Sequence, residues 1–589
     1  MKRSFVIGLL VYASLAFAEP YDTKPFTQGL SRPYRSNPAG KMGISRLSDL
    51  PLYQIDMELN AVLGTFEASQ EIVFMNPWKQ ELQDLILRIY PNAPHLTQKD
   101  ERNLEITKLT LDGKEATWTE VNPTTLRIRL SAPLQPGGRV LLGLKYRAVV
   151  PRLKPGAGQL GGGIQDVLQQ LQGKESMQGY GVYARGDGIY NLGFFYPIVP
   201  ARTDRGWDTQ APVGMGDVAN FDVANYLLKL RVPKTMVVAS SGVVLGEKPL
   251  GPGPADKKEV YLLGTALRDF ALQCSTRYKI KEKKVGGVKV RYFHVEEDAA
   301  QADTVLAYAA DSLRAYSSLF GPYPYPELDV AQAPLVGGAG GMEYPGLVTV
   351  AMALTSQPSA EDPLAGLMAA FLKSTQSLEF VVAHEVAHQW WHALVGSDSN
   401  RHPFLDEALA NYSAVLYFEK RHGQKAAEHQ LQLELAMPYQ LYRMMGGPDG
   451  RVDRPVKEFS SQLEYAALVY GKGALFFNAL RKQLGKKAFM RFLKTYASRF
   501  AFRQADPDHL FRLAVAAARK KNRVKALIKR WIRENHGDED IGTLDMSAMD
   551  QLIDQLSQMQ AAGNVRFDGP VDPAILKLFQ QAVQQLTGP

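Results

Sequence analysis

The chain has 589 residues, of which 45% are hydrophobic and 22% charged, and carries a formal net charge of +8. That length exceeds what one hydrophobic core supports, so several folded units are expected, and the composition excludes a wholly disordered or collagen-like chain. So mild a charge, with no nucleic-acid module beside it, argues against nucleic acid as a partner.

The first eighteen residues read as a secretory signal: Lys2 and Arg3, an apolar run from Phe5 to Leu15, then Ala16-Phe17-Ala18 before Glu19. The run is too short to span a bilayer, and no later segment approaches the length of a transmembrane helix. The expectation is a mature protein that begins near Glu19 and is exported, to the periplasm or as a secreted protein. Cys274 is the only cysteine, which rules out an intramolecular disulfide and reads as a small buried hydrophobe in a strand.

From residue 52 the pattern alternates with a period of two: Tyr53, Ile55, Met57 and Leu59 are apolar, and Gln54, Asp56, Glu58 and Asn60 polar. Further strands are predicted at Glu71–Met75, Leu85–Tyr90, Leu104–Leu111, Leu126–Leu130, Val140–Tyr146, Tyr226–Val232 and Met236–Val238. They compose an N-terminal antiparallel β domain over 19–283, interrupted by a Gly- and Gln-rich insertion at about 151–181. From Ala299 the period becomes helical, with helices predicted at Leu378–Leu394, Glu407–His422, Tyr465–Leu484, Lys487–Ser498, His509–Lys520 and Val524–Asn535. A mostly helical domain over 284–536 is expected, followed by a short helical tail, 537–589, with segments at Met549–Gln560 and Pro573–Leu586. The basic residues between Arg519 and Arg530 read as a solvated helix face.

The chemistry is concentrated in His384-Glu385-Val386-Ala387-His388, followed nineteen residues later by Glu407. Histidines four apart stand about one turn, ~6 Å, along one face of a helix, so both imidazoles reach one tetrahedral metal. A catalytic zinc needs three protein ligands and one open position, which His384, His388 and Glu407 supply, with Glu385 placed as general base for the attacking water. His392 continues the same face one turn further, too far along the axis to be a ligand, and is expected beside the site or at the surface. Asn411, one turn beyond Glu407, faces the same side of its helix and is a candidate partner for a ligand.

Two further motifs join this one. Gly340-Gly341-Met342-Glu343-Tyr344-Pro345 lies upstream and Tyr470-Gly471-Lys472-Gly473-Ala474 downstream, while Gln389-Trp390-Trp391 and Leu394-Val395-Gly396 extend the histidine helix. Over roughly residues 48 to 535 the sequence resembles the M1 metallopeptidases, or gluzincin aminopeptidases, which include aminopeptidase N and leukotriene A4 hydrolase. The resemblance implies a multidomain α+β protein with a thermolysin-like catalytic domain, one Zn²⁺ per chain, and peptides with a free N terminus as substrates.

It also implies roles. Glu343, in a subsite built with Gly340, Gly341 and Met342, would bind the α-amine, and Tyr470 would donate to the oxyanion; Tyr465 matches a second tyrosine of some members. The family motif ends in Asn where this chain has Tyr344, and Asp406 stands where many members have Asn, two changes expected to reshape the amine subsite. Only about fifty residues follow His536, in place of the long helical domain that roofs the cleft in larger members. A more open cleft would admit larger peptides unless a second subunit supplies the roof, and a zinc endopeptidase or an epoxide hydrolase is the alternative on the same metal. A non-catalytic scaffold is argued against by the presence of ligands, base and oxyanion donor together.

Overall fold

The structure is a computed structural model and describes residues 25–35, 47–97, 101–158, 179–203, 205–217, 220–251, 256–356, 372–373 and 375–543. The signal segment, most of the Gly- and Gln-rich stretch and both predicted C-terminal helices lie outside the described residues.

The N-terminal half is built on an eight-stranded sheet whose central strands are Lys257–Leu267, Ala224–Pro233, Leu52–Asn60, Thr65–Met75 and Arg139–Val149, in that spatial order. Alternation along Leu52–Asn60 does what its sequence requires, with Ile55, Met57 and Leu59 buried and the intervening polar residues partly exposed. The sheet departs from a purely antiparallel one at a single place. Leu52–Asn60 pairs parallel to Ala224–Pro233, from Leu52 opposite Asn225 to Glu58 opposite Arg231. A parallel neighbour cannot come from a hairpin and needs a long crossover, here the whole chain between the two strands. Cys274 is fully buried in the strand Leu272–Ser275, as expected.

A second sheet belongs to the other half: Tyr278–Val285, Val288–Val295, Glu327–Ala333, Leu347–Ala351 and Gly341–Met342. The boundary expected at residue 283 falls inside its first strand. Residues Leu328–Ala333 and Leu347–Ala351 are buried throughout, so they carry no alternation that would mark them as strands in a sequence. The helix Ala299–Leu319 packs across this sheet and against Ser377–Ala387, which in turn packs on Glu407–His422. Helices Ala474–Leu484, Lys486–Arg499, Pro507–Ala517 and Lys521–Ile528 complete the half. One apolar cluster runs through both halves, from Leu30 to Ile532. Among the described residues no helix is long and apolar enough to cross a membrane.

Candidate metal centre and active site

His384 and His388 lie on the helix Ser377–Ala387 and at its C-terminal cap, and Glu407 is the first residue of the next long helix. All three are buried, and their donor atoms converge. His384 Nε2 is 3.0 Å from His388 Nε2, and Glu407 Oε2 is 3.2 and 3.4 Å from these two nitrogens. Donors bound at about 2.0–2.1 Å to a tetrahedral zinc stand ~3.3 Å apart, so the three atoms already outline one face of such a site. His388 Nδ1 lies 3.0 Å from the Trp391 carbonyl, which can only accept, so the proton sits on Nδ1 and Nε2 presents its lone pair inward.

Electrostatically the cluster favours positive charge. Burial opposes charge on His388, yet the Glu407 carboxylate pulls that imidazole up to about 10. Burial would raise Glu407, but its bonds to His384 and His388 hold it far below the usual carboxylate range. A buried N, N, O triad that seeks positive charge fits zinc by both geometry and donor type.

The predicted helix Leu378–Leu394 does not run through. After His388 the backbone widens into a π-turn, with Ala393 N donating to His388 O at 3.0 Å, and Trp391 leaves helical geometry at φ −107°, ψ 61°. The break frees the Trp391 carbonyl to meet His388. It also carries His392 away from the metal and the surface alike: the residue is buried, 3.8 Å from Asp269 of the N-terminal half. Two indole N–H groups pin the segment, Trp390 to Gly321 O at 3.1 Å and Trp391 to Ser413 Oγ at 2.9 Å on the Glu407 helix.

Glu385 faces the short strand Gly341–Met342, which approaches so closely that a Cβ on Gly341 would lie 2.4 Å from the Glu385 carboxylate. Only glycine permits that contact. Burial pushes the Glu385 carboxyl up to about 8, and a metal dication beside it would draw it back down. Gly340 meets Val381 of the same helix, and Met342 pairs with Thr349. The segment after Met342 is clamped by Gln389, whose amide donates to Tyr344 O at 3.0 Å and accepts from Gly346 N at 2.8 Å. Glu343 is thereby fixed, buried, in the field of Glu385, Glu407, Asp406 and Asp217, and burial together with these charges raises its carboxyl well above the usual range.

The two departures from the family motif are accommodated in different ways. Tyr344 turns its ring into the N-terminal half, 5.7 Å from Phe194, with its hydroxyl where a side chain on Gly193 would have to go. Asp406 caps the ligand helix, accepting from Glu407 N at 2.9 Å and from the hydroxyls of Ser397 and Ser399. It helps place Glu407, and its charge also bears on Glu343.

Tyr470 stacks over His384 with ring centroids 5.9 Å apart and a 25° tilt. Burial, then the charge of Glu407, holds its hydroxyl well above the usual phenol range, so it remains a donor. Tyr465 packs edge-on against it at 5.7 Å, and its own buried hydroxyl has no hydrogen-bond partner among the described residues. Asn411 supports this side by donating to Tyr470 O at 3.0 Å.

One residue of the site has no signal in the sequence. Asp217, in a loop of the N-terminal half, is buried against Glu407, and its Oδ2 finds no hydrogen-bond partner among the described residues. Burial, then Glu407 and Asp406, pushes its carboxyl well above the usual range.

Residues 305–531 match the family model described as the peptidase family M1 domain. This part of the chain is an M1 peptidase domain. Over 319 residues the chain is 27% identical to aminopeptidase M1-B of Oryza sativa subsp. japonica, covering 53% of this chain and 34% of that protein. Over 263 residues it is 25% identical to endoplasmic reticulum aminopeptidase 1 of Rattus norvegicus, covering 43% and 26%. The chain thus spans about a third or less of the length of these curated relatives. An M1 zinc metallopeptidase from Deinococcus radiodurans shares the fold, with a TM-score of 0.57 at 18% identity over 82% of this chain and 94% of that one. A two-domain M1 zinc metallopeptidase variant bound to L-arginine gives 0.56 at 17% identity over 83% and 94%. The M1 domain therefore sits in a chain whose β-rich and helical halves follow the two-domain architecture.

Proposed function

We propose that the chain is an exported zinc aminopeptidase that removes residues one at a time from the free N terminus of peptides. The observation that carries the reading is the convergence of His384, His388 and Glu407 beside Glu385, one short strand from a buried carboxylate, Glu343. Zinc held by the triad supplies a Lewis acid that acidifies water and polarises a carbonyl. Glu385 takes the proton of the attacking water and returns it to the leaving amine. Tyr470, kept protonated, donates to the carbonyl oxygen as negative charge grows there, a contribution typically about 3 kcal/mol. Glu343, with Asp217 adding negative charge, would hold the substrate's ammonium and so set which peptide bond lies at the His384, His388 and Glu407 cluster.

Similar proteins support this reading in what their names state: the plant relatives are aminopeptidases, and one of the similar structures holds a Tyr-Ser-Ala substrate. Export is proposed on the signal-like pattern of residues 1–18. Mass spectrometry of the protein recovered from the extracytoplasmic fraction should place its first residue near Glu19, and an intact Met1 would refute export by this signal.

The decisive assay is a digest of mixed peptides by the zinc-loaded protein, each peptide offered with a free or an acetylated N terminus. Stepwise loss from free N termini alone is expected. Internal cleavage of both sets would make the enzyme an endopeptidase and remove the role given to Glu343.

A further inference from the structure

The break that follows the histidine helix is held from outside its own half. Arg268, on the N-terminal half, is almost wholly buried, and its guanidinium donates to four carbonyls: His392 O at 2.7 Å, Arg503 O at 2.9 Å, Phe221 O at 3.2 Å and Leu394 O at 3.3 Å. Leu394 O also receives Phe502 N at 2.6 Å and so keeps a donor without Arg268. For His392 O, the carbonyl immediately after the one that serves His388, Arg268 is the donor the structure provides. The next residue, Asp269, stands 3.8 Å from the His392 ring without hydrogen-bonding it, so the grip on this turn is that of Arg268. Gly396 is shaped by this grip: a Cβ there would lie 2.2 Å from the Arg268 guanidinium carbon.

We propose that Arg268 is a positioning residue of the metal centre, fixing the break at Trp391 and His392 so that the Trp391 carbonyl stays on His388 Nδ1 and aims Nε2 at the metal. The inference rests on the zinc reading above but not on the aminopeptidase reading. Its physical basis is that a buried carbonyl without a donor costs enough to rearrange a turn, and that groups orienting a metal-bound imidazole set its affinity. The N-terminal half then contributes to the metal centre beyond lining the cleft.

The test uses the full chain and three variants. Arg268→Met keeps the bulk and removes every donor, Arg268→Lys retains the charge with fewer directed donors, and Gly396→Ala displaces the guanidinium without deleting it. Zn²⁺ affinity by chelator competition and the visible spectrum of the Co²⁺-loaded protein report on the ligands, and a melting curve reports on the fold. Arg291→Met, which breaks the ion pairs with Asp329 and Glu327 and removes no bond to the segment after the histidine helix, is the control for general destabilisation.

The expected result is a loss of Zn²⁺ affinity of about 10–100-fold with shifted Co²⁺ bands in Arg268→Met. Partial recovery is expected in Arg268→Lys, a similar loss in Gly396→Ala, and no change of affinity or spectrum in Arg291→Met. Arg268→Met that melts earlier yet keeps wild-type affinity and spectrum would overturn the proposal. Should that variant not fold, wild-type metal binding by Gly396→Ala would overturn it equally. A wild-type protein that takes up neither metal would refute the zinc reading and this proposal with it.

Discussion

Two groups of buried charge meet at neighbouring positions of one helical segment, Tyr470 and Lys472, and are resolved in opposite ways. Lys472 is closed: its ammonium bonds both Asp449 oxygens at 2.9 and 3.1 Å, Gly450 O at 2.9 Å and Glu534 O at 3.0 Å, and Gly537 N adds a bond to Asp449 at 2.8 Å. The cleft beside Tyr470 is open: Asp217, Glu343, Glu385, Asp406 and Glu407 crowd against two imidazoles, and burial together with the charge of Glu407 raises the first four carboxyls while the imidazoles hold Glu407 low. Of these five, Asp406 alone is turned to an evident structural use, as a helix cap. A buried charge whose bonds are all made holds a fold together, whereas a cluster of one sign with unmet oxygens is a demand for cations from outside. On the proposed function those are a metal ion and an ammonium group.

The contrast can be broken at its most reactive point first. Glu385→Gln should lower turnover by about 10³-fold, or ~4 kcal/mol in the barrier, while metal analysis finds zinc still bound, since Glu385 is not one of the three donors. Turnover near wild type would remove Glu385 from the chemistry. At the closed group, Lys472→Met leaves Asp449 buried without its cation and should cost about 3–5 kcal/mol of stability in denaturant unfolding. The same removal of one charge in the open group should act the other way. Asp217→Asn is expected to stabilise the metal-free protein by about 1 kcal/mol and to lower kcat/KM on free N-terminal peptides by roughly tenfold. Destabilisation of the metal-free protein by this change would mean that Asp217 is held by bonds rather than strained by its neighbours.

The smallest effect is expected at His95, a partly buried residue of the N-terminal half whose ring nitrogen lies 3.3 Å from the Tyr90 hydroxyl. Burial lowers its pKa from 6.5 to about 4, so between these values the unfolded chain binds a proton that the folded chain does not. Stability should therefore fall as the pH drops from 6.5 towards 4, and His95→Gln should flatten part of that slope in melting curves. An identical slope in both proteins would show that His95 is not the group responsible.

The cluster of His384, His388 and Glu407 was legible because the histidine spacing is helix geometry written in residue numbers: a step of four residues makes one turn whatever surrounds it. That Glu343 and Tyr470 stand beside this cluster was legible by resemblance, and the structure gives a physical reason for the glycine at 341 in its contact with Glu385. Asp217 and Arg268 were not legible, since each acts through tertiary contacts with residues far along the chain, and a lone Asp or Arg in a loop carries no period. The strands Glu327–Ala333 and Leu347–Ala351 escaped for a related reason: buried on both faces, they lose the alternation that exposed Leu52–Asn60. The break at Trp391 escaped because no proline or glycine marks it, and partners outside the helix impose it.

The parallel junction in the large sheet also bears on the order of assembly. Leu52–Asn60 can zip to Thr65–Met75 as soon as both exist, through a local hairpin running from Leu52 opposite Val73 to Asn60 opposite Thr65. Its other edge waits for Ala224–Pro233, which arrives only after the intervening strands have been synthesised. Until then the first strand presents a row of unsatisfied amides and carbonyls, a template for any other extended segment. Loop closure over so long a separation is slow, so the nascent chain spends its early life with this edge unprotected, the stage at which mispairing competes most with the native register.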